Sequence, residues 1–211
     1  MLRSLVLLLS GMRLLPHILV LLTAPTRSAM LEDVRRWTRI LRNRTPPNVA
    51  GSVLAFVDVM TFFPEFRNLF YYRARKMHPL LPHVLACGCR PMATLRLGAD
   101  EIGPGLFIQH GFSTIIAARR IGRDCWINQQ VTIGYRDRSG CPALGDRVQV
   151  GAGAKILGAV TVGDGAKIGA NAVVVHDVPA HCTAVGVPAR ILRRRTGAVD
   201  PGSGAQNTQS E

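Results

Sequence analysis

Aromatic residues are scarce in this chain of 211 residues, at 6% of the total. That argues against a core organised around large rings, which in most domains supply a large part of the buried apolar area. Acidic residues are half as numerous as basic ones, 13 against 26. The cysteines, Cys87, Cys89, Cys125, Cys141 and Cys182, are odd in number and lack both Cys-x-x-Cys zinc pairs and the regular spacing of a disulfide framework. They read as reduced thiols of a cytoplasmic protein. No zinc-finger spacing, aromatic RNA-binding signature or basic zipper is present, so the positive charge is not read as a nucleic-acid surface. A long uninterrupted apolar run is missing as well. Leu5 to Ala24 is mostly apolar, but Arg13, Pro16 and His17 break a stretch that would have to reach about 20 residues to span a membrane. Arg13 also falls where the apolar part of a secretory signal should continue. Residues 1–29 therefore read as an interfacial or core-packed amphipathic segment, with Met12 as an alternative start.

What the chain has in quantity is aliphatic side chain and glycine: 47% of residues are hydrophobic and 21 are Gly. Its length allows one domain with an appendage. The net charge of +13 is uneven, since residues 1–96 hold fourteen bases and four acids and the remainder twelve bases and nine acids. A field of that sign favours anionic ligands, including phosphorylated small molecules and anionic membrane surfaces. Residues 30–94 read as helical. Val34, Trp37, Ile40 and Leu41 recur at helical spacing, with Glu32 and Asp33 in the expected first turn, and Thr45-Pro46-Pro47 ends the helix. A second helical stretch, 53–77, is expected to break at Pro64 and to close at Pro79 and Pro82. The simplest role for this region is a cap on the domain that follows. Residues 193–211 open with three arginines and continue as a Gly/Ser/Gln-rich tail expected to be disordered.

The main signal lies in 95–192. Counted by sixes from Leu144, the positions read Leu144, Val150, Ile156, Val162, Ile168 and Val174, and Gly follows four of them. The phase continues upstream at Ile133, Ile127 and Ile121, and more weakly at Ile108 and Ile102. Five extra residues fall in the polar segment YRDRSGCPA, read as an extruded loop. A six-residue period matches neither the helical repeat nor the strand repeat of two. It fits short strands that each turn one aliphatic side chain inward and then turn a corner, three to a coil of about eighteen residues. Stacked coils make a parallel β-helix solenoid.

The segments IGPGLFIQHG, INQQVTIG, LGDRVQVGAGAKILGAVTVGDGAKIGANAVVVHDVP and VGVPARIL resemble the hexapeptide-repeat acyltransferases, and within them the serine acetyltransferase group. That resemblance implies a left-handed parallel β-helix, a homotrimer with further assembly through the N-terminal helices, and transfer of acetyl from acetyl-CoA to a hydroxyl, with no metal. It assigns His110 as the general base. A neutral hydroxyl is a poor nucleophile towards a thioester, and an imidazole titrates where such a base is needed. It also places acetyl-CoA along Thr132, Gly134, Ala152, Gly153, Ala154, Lys167 and Arg190, although small residues at these positions are equally what solenoid corners require. His17, His78, His83, His176 and His181 read as structural or surface residues.

Three departures from the group's pattern bear on the acceptor. Gln109 replaces an acceptor-binding Asp, Gly140-Cys141 replaces Arg-His, and Leu95 stands near the position of the carboxylate that orients the base; Asp100 and Glu101 are the substitutes considered for it. Gln109 and Cys141 are accordingly the acceptor-side candidates, Cys141 more as a bystander than as a nucleophile. An amide both donates and accepts, so a saccharide or glycan precursor is the first expectation and L-serine the second. A trimeric scaffold without activity is the reading from another class. A zinc-dependent anhydrase on the same solenoid would need three converging histidines, which the coils do not offer.

Overall fold

The computed structural model describes residues 2–192, with side chains from Leu5 onward; the Arg193–Arg195 run and the tail behind it lie outside the described residues. Helices come first: α1 (Leu2–Arg13), α2 (Leu15–Thr23), α3 (Arg27–Arg42), α4 (Val49–Phe62), α5 (Pro64–Ala74) and α6 (Leu81–Gly88). Helix α3 begins earlier than its amphipathic pattern implies. Glu32 and Asp33 therefore lie beyond its first turn, and Asp33 is buried beside Met30, Val34 and Trp37. Asn48 caps α4 by accepting from the Gly51 N–H at 2.8 Å. The expected break at Pro64 is a 118° bend between α4 and α5. Pro82, expected to end the helical region, instead sits in the first turn of α6. Proline is tolerated there because a first-turn N–H has no intrahelical acceptor to lose.

From Leu95 onward about five coils wind into three parallel sheets, the faces of a triangular prism. The first face stacks Leu95–Leu97, Thr114–Ile116, Thr132–Gly134, Lys155–Leu157 and Val173–Val174; the second stacks Glu101–Ile102, Arg120–Ile121, Ala143–Leu144 and Thr161–Val162. The third runs from Phe107–Ile108 through Trp126–Ile127, Gln149–Val150 and Lys167–Ile168 to Thr183–Val185, against which Arg190–Leu192 folds back antiparallel. In regular coils the period holds: Leu144 pairs with Val162 and Val150 with Ile168, 18 residues on. All six hexad residues are buried in one aliphatic column with Ile102, Ile108, Ile121, Ile127 and Ile133. Ile121 pairs with Leu144, 23 residues on, so the five extra residues leave the column undisturbed. They emerge between the first and second faces, where Tyr135 to Ser139 are exposed.

The helices cover the open end of the solenoid. The N–H groups of the first coil donate to the second, for example Gly103 N to Ile121 O at 2.8 Å, which leaves first-coil carbonyls without a coil above them. Side chains of α3, of α5 and of Arg75 just beyond its end supply the missing donors. Asn68 Nδ2 reaches Leu95 O at 2.8 Å, Arg75 reaches Ala99 O at 3.0 Å, Tyr72 Oη reaches Asp100 O at 3.1 Å and Trp37 Nε1 reaches Leu106 O at 2.8 Å. Arg73 donates to Ile102 O and Gly103 O while pairing with Asp33 at 2.9 Å, and the Gly105 N–H donates to the same carboxylate at 2.7 Å. Burial raises the Asp33 carboxyl pKa, and the Arg73 guanidinium and Gly105 N–H work against that rise. Further out, α1 and α2 leave Leu5, Leu8, Leu9, Met12, Leu15 and Leu19 more than half exposed. Among the described residues no single helix is long and apolar enough to cross a membrane.

Candidate active site

His110 stands on the first-coil corner between the third and first faces, and that corner is irregular. In later coils the inward residues on either side of it are six apart, Ile127 to Ile133 and Val150 to Ile156; here Ile108 and Ile116 are eight apart, with Ile116 in register with Ile133. Regular corners turn on one left-handed residue each, Gln130 (φ 59°), Gly153 (φ 73°) and Asn171 (φ 56°). The equivalent of Gln130 in the first coil is Ser113 (φ 51°), and ahead of it His110 (φ 63°) and Gly111 (φ 40°) adopt the same left-handed conformation. A left-handed backbone at a non-glycine residue costs about 1–2 kcal/mol and tends to occur at functional positions. The two extra residues thus form a bulge that lifts the imidazole off the solenoid wall. His110 is exposed, and among the described residues no side chain hydrogen-bonds to its ring.

Gln109 is held by the coil below. Its backbone N–H donates to Ile127 O at 2.8 Å, and its Oε1 accepts from Trp126 Nε1 at 3.2 Å. An indole N–H can only donate, so the amide is oriented with its NH2 group outward. The Trp126 ring packs edge-on against Phe107, with centroids 4.7 Å apart, which fixes the donor. Trp126 therefore orients the Gln109 amide, a role that its place in the hexad pattern gave no reason to expect.

Behind the bulge lie two side chains with no hydrogen bond to each other or to His110. Leu95 is buried with its Cδ2 3.2 Å from where a Gly111 Cβ would sit, and Glu65 from the first turn of α5 comes closer, its Cγ at 2.7 Å. Glycine is required at 111 for that reason. Glu65 is only 8% exposed, and its buried Oε2 has no hydrogen-bond partner. Asp100 and Glu101 lie elsewhere. Both are exposed beside the second face, and Glu101 is 4.0 Å from Arg120.

Cys141 is half-buried at the base of the extruded loop, on the corner between the first and second faces. A hydrogen bond between its thiol and the Tyr135 phenol, together with the charge of the thiolate, raises the Tyr135 pKa; desolvation and Asp100 add to the rise. Within one chain this corner and the His110 corner are different edges of the prism. A site using both needs a second subunit. Ala152, Gly153 and Ala154 do share the His110 edge, two coils on, where Gly153 N donates to Gln129 O at 3.0 Å and Thr132 N to Ala154 O at 3.0 Å. Gly153 is fixed by the fold: a Cβ there would lie 2.0 Å from Asn171 Oδ1. Gly134 is not, because a Cβ would meet nothing nearer than Ala117 Cβ at 3.9 Å and its backbone is not left-handed. Lys167 and Arg190 are exposed on the third face. Of the other histidines, His17 is buried against Tyr71, Nε2 to Oη 3.1 Å, and burial lowers its pKa to about 4; His78, His83, His176 and His181 are exposed. Among the described residues no group of three or more His, Cys, Asp or Glu is arranged to hold a metal ion.

Residues 142–176 match the family described as bacterial transferase hexapeptide (six repeats). The chain is 35% identical over 184 residues to a serine acetyltransferase of Synechococcus elongatus, covering 82% of this chain and 73% of that one. It is 40% identical over 147 residues to a serine acetyltransferase of Helicobacter pylori, covering 65% and 86% respectively. Among solved structures, soybean serine acetyltransferase complexed with serine superposes with a TM-score of 0.61 at 29% identity, over 79% of this chain and 69% of the soybean chain.

Proposed function

Because the chain belongs to the serine acetyltransferase family of hexapeptide-repeat acyltransferases, and is an acetyl-CoA-dependent O-acetyltransferase, we propose that it acetylates L-serine with His110 as general base. The observation that carries the reading is the strained two-residue bulge that presents His110, on a chain similar over most of its length to enzymes of that name. His110 takes the proton of the acceptor hydroxyl, the oxygen bonds to the thioester carbonyl carbon, and a backbone N–H stabilises the oxyanion. The C–S bond then breaks and the proton passes from His110 to the departing thiolate. The outward NH2 of Gln109 donates to an acceptor oxygen, the serine carboxylate in this reading. Acetyl-CoA lies along the His110 edge past Thr132, Gly134 and Ala152–Ala154, with Lys167 and Arg190 towards its phosphates.

Two corners are needed at one site, so the working form in this proposal is a homotrimer in which the Cys141 loop of one subunit faces the His110 edge of the next. Five free thiols agree with a reducing compartment. The exposed leucines of α1 and α2, on the more basic part of the chain, support peripheral contact with an anionic membrane; full-length protein that fails to sediment with phosphatidylglycerol vesicles at low salt removes that element.

One observation favours a second acceptor, a saccharide hydroxyl. Gln109 brings no carboxylate to the acceptor side, and an ammonium group left without its partner costs about 1–3 kcal/mol. Thiol release from acetyl-CoA, with L-serine and with a panel of mono- and oligosaccharides, decides between them. Serine-dependent turnover that falls about 100-fold or more in His110→Ala is the expected result. Turnover with sugars alone replaces serine by a glycan acceptor, and CoA binding with no turnover on any acceptor leaves a scaffold.

A further inference from the structure

The reaction needs the His110 imidazole in one tautomer and one orientation, and among the described residues no side chain hydrogen-bonded to the ring provides it. In ordinary base catalysis by histidine, the ring nitrogen away from the acceptor donates to a fixed acceptor group, often a carboxylate; that bond sets which nitrogen is free to take the proton. Leu95, on the neighbouring strand, is apolar, and Asp100 and Glu101 lie on another edge of the prism.

We propose that Glu65, reaching over from α5, is the positioning residue for His110. Three observations converge on it. Its Cγ lies against Gly111, the other residue of the bulge that carries His110, and the absence of a side chain at 111 leaves the space that the glutamate stem fills. Its carboxylate is buried while its Oε2 has no partner, a condition that folding alone would remove by substitution, because a buried unsatisfied acceptor costs about 1–3 kcal/mol. The arginines nearest in sequence are committed elsewhere. Arg67 donates to Met60 O, Thr61 O and Arg90 O, and Arg73 is paired with Asp33.

In the proposed working arrangement the exposed His110 ring turns towards the helices, Glu65 accepts the N–H of one ring nitrogen, and the other nitrogen, free of a proton, faces the acceptor. No proton passes to Glu65: the acceptor proton goes to His110 and on to the CoA thiolate. The helical region thereby contributes a working group to the solenoid's site. The inference rests on His110 being the base but holds for a serine or a sugar acceptor.

The test uses full-length protein with Glu65→Gln, Glu65→Leu and Glu65→Asp. Glu65→Gln lowers kcat about 10–100-fold with KM for both substrates within about twofold, and Glu65→Asp recovers part of the loss. Added to His110→Ala, Glu65→Gln causes no further loss, because a group acting through the imidazole has nothing left to act on. Nitrogen-15 NMR of the His110 ring, which needs no turnover, shows one neutral tautomer in the parent and a mixture in Glu65→Leu. Thermal midpoints of Glu65→Leu equal to or above the parent confirm that the change is not a folding defect. Undiminished kcat in Glu65→Gln, a loss of full size on the His110→Ala background, a rise confined to acceptor KM, or an unchanged tautomer each overturns the proposal. Absence of turnover with every acceptor would instead count against the acceptor reading, with the NMR result still deciding the role of Glu65.

Discussion

The helical front and the solenoid bury their apolar side chains by opposite rules. Eight of the twelve aromatic residues lie before residue 95, where Trp37, Phe56, Phe66 and Phe70 interlock with ring centroids 5.1–6.2 Å apart, so the helices do have the ring-built core that the overall composition argues against. The solenoid repeats one aliphatic residue per strand, and its nearest-neighbour stacking has no counterpart to that cluster. Polar groups divide the same way. The front buries an ion pair, a histidine and a glutamate, whereas Thr114 is the one buried polar side chain of the described solenoid residues. A repeat solves the same packing problem in every coil. The front is solved once, around whatever the first coil's carbonyls and the His110 bulge require.

If the two regions are joined mainly through the first-coil carbonyls, the largest loss should come from the Arg73–Asp33 pair. Arg73→Met leaves Asp33 buried without its partner and Ile102 O and Gly103 O without donors, and should cost about 3–5 kcal/mol in urea unfolding. Arg73→Met combined with Asp33→Leu should recover much of that, because a buried ion pair replaced as a unit is often close to neutral. A loss below about 1 kcal/mol in the single variant would show that the helices are held by ring packing instead.

A smaller effect separates the regions by pH. His17 is depressed to about 4 in the folded chain from 6.5, so as pH falls below 6.5 the unfolded chain binds the proton and the folded chain does not. Stability therefore falls between pH 6.5 and 4, by at most about 3 kcal/mol. His17→Leu should flatten the urea-unfolding profile in that window. Equal slopes in the parent and in His17→Leu would refute the assignment.

The same contrast explains what was legible in the sequence. The inward column could be read directly, since every coil restates it, and the five-residue interruption marked the loop. The bulge at His110 could not: two residues gained between Ile108 and Ile116 and one lost before Ile121 only blur the hexad phase. Asp33 read as a first-turn acid and became a buried tie to Arg73, because helical periodicity records spacing and not what a helix meets across 40 residues. Pro64-Glu65 registered only as a break. Nothing local indicates that the glutamate after that proline reaches the bulge, and the Trp126 bond to Gln109, 17 residues apart, is equally silent.

The smallest expected stability change tests whether solenoid glycines belong to the fold or to the ligand. Gly153→Ala places a Cβ against Asn171 Oδ1 on a left-handed backbone, and should cost about 1–3 kcal/mol through the fold. Gly134→Ala meets only Ala117 Cβ at 3.9 Å, so unfolding should shift by less than about 0.5 kcal/mol. If acetyl-CoA passes close to the backbone there, the new methyl group occupies its path, and KM for acetyl-CoA should rise several-fold while kcat at saturation changes little. The reverse pattern, a destabilised Gly134→Ala with unchanged KM, would move the donor away from this strand and leave Gly134 as a packing residue.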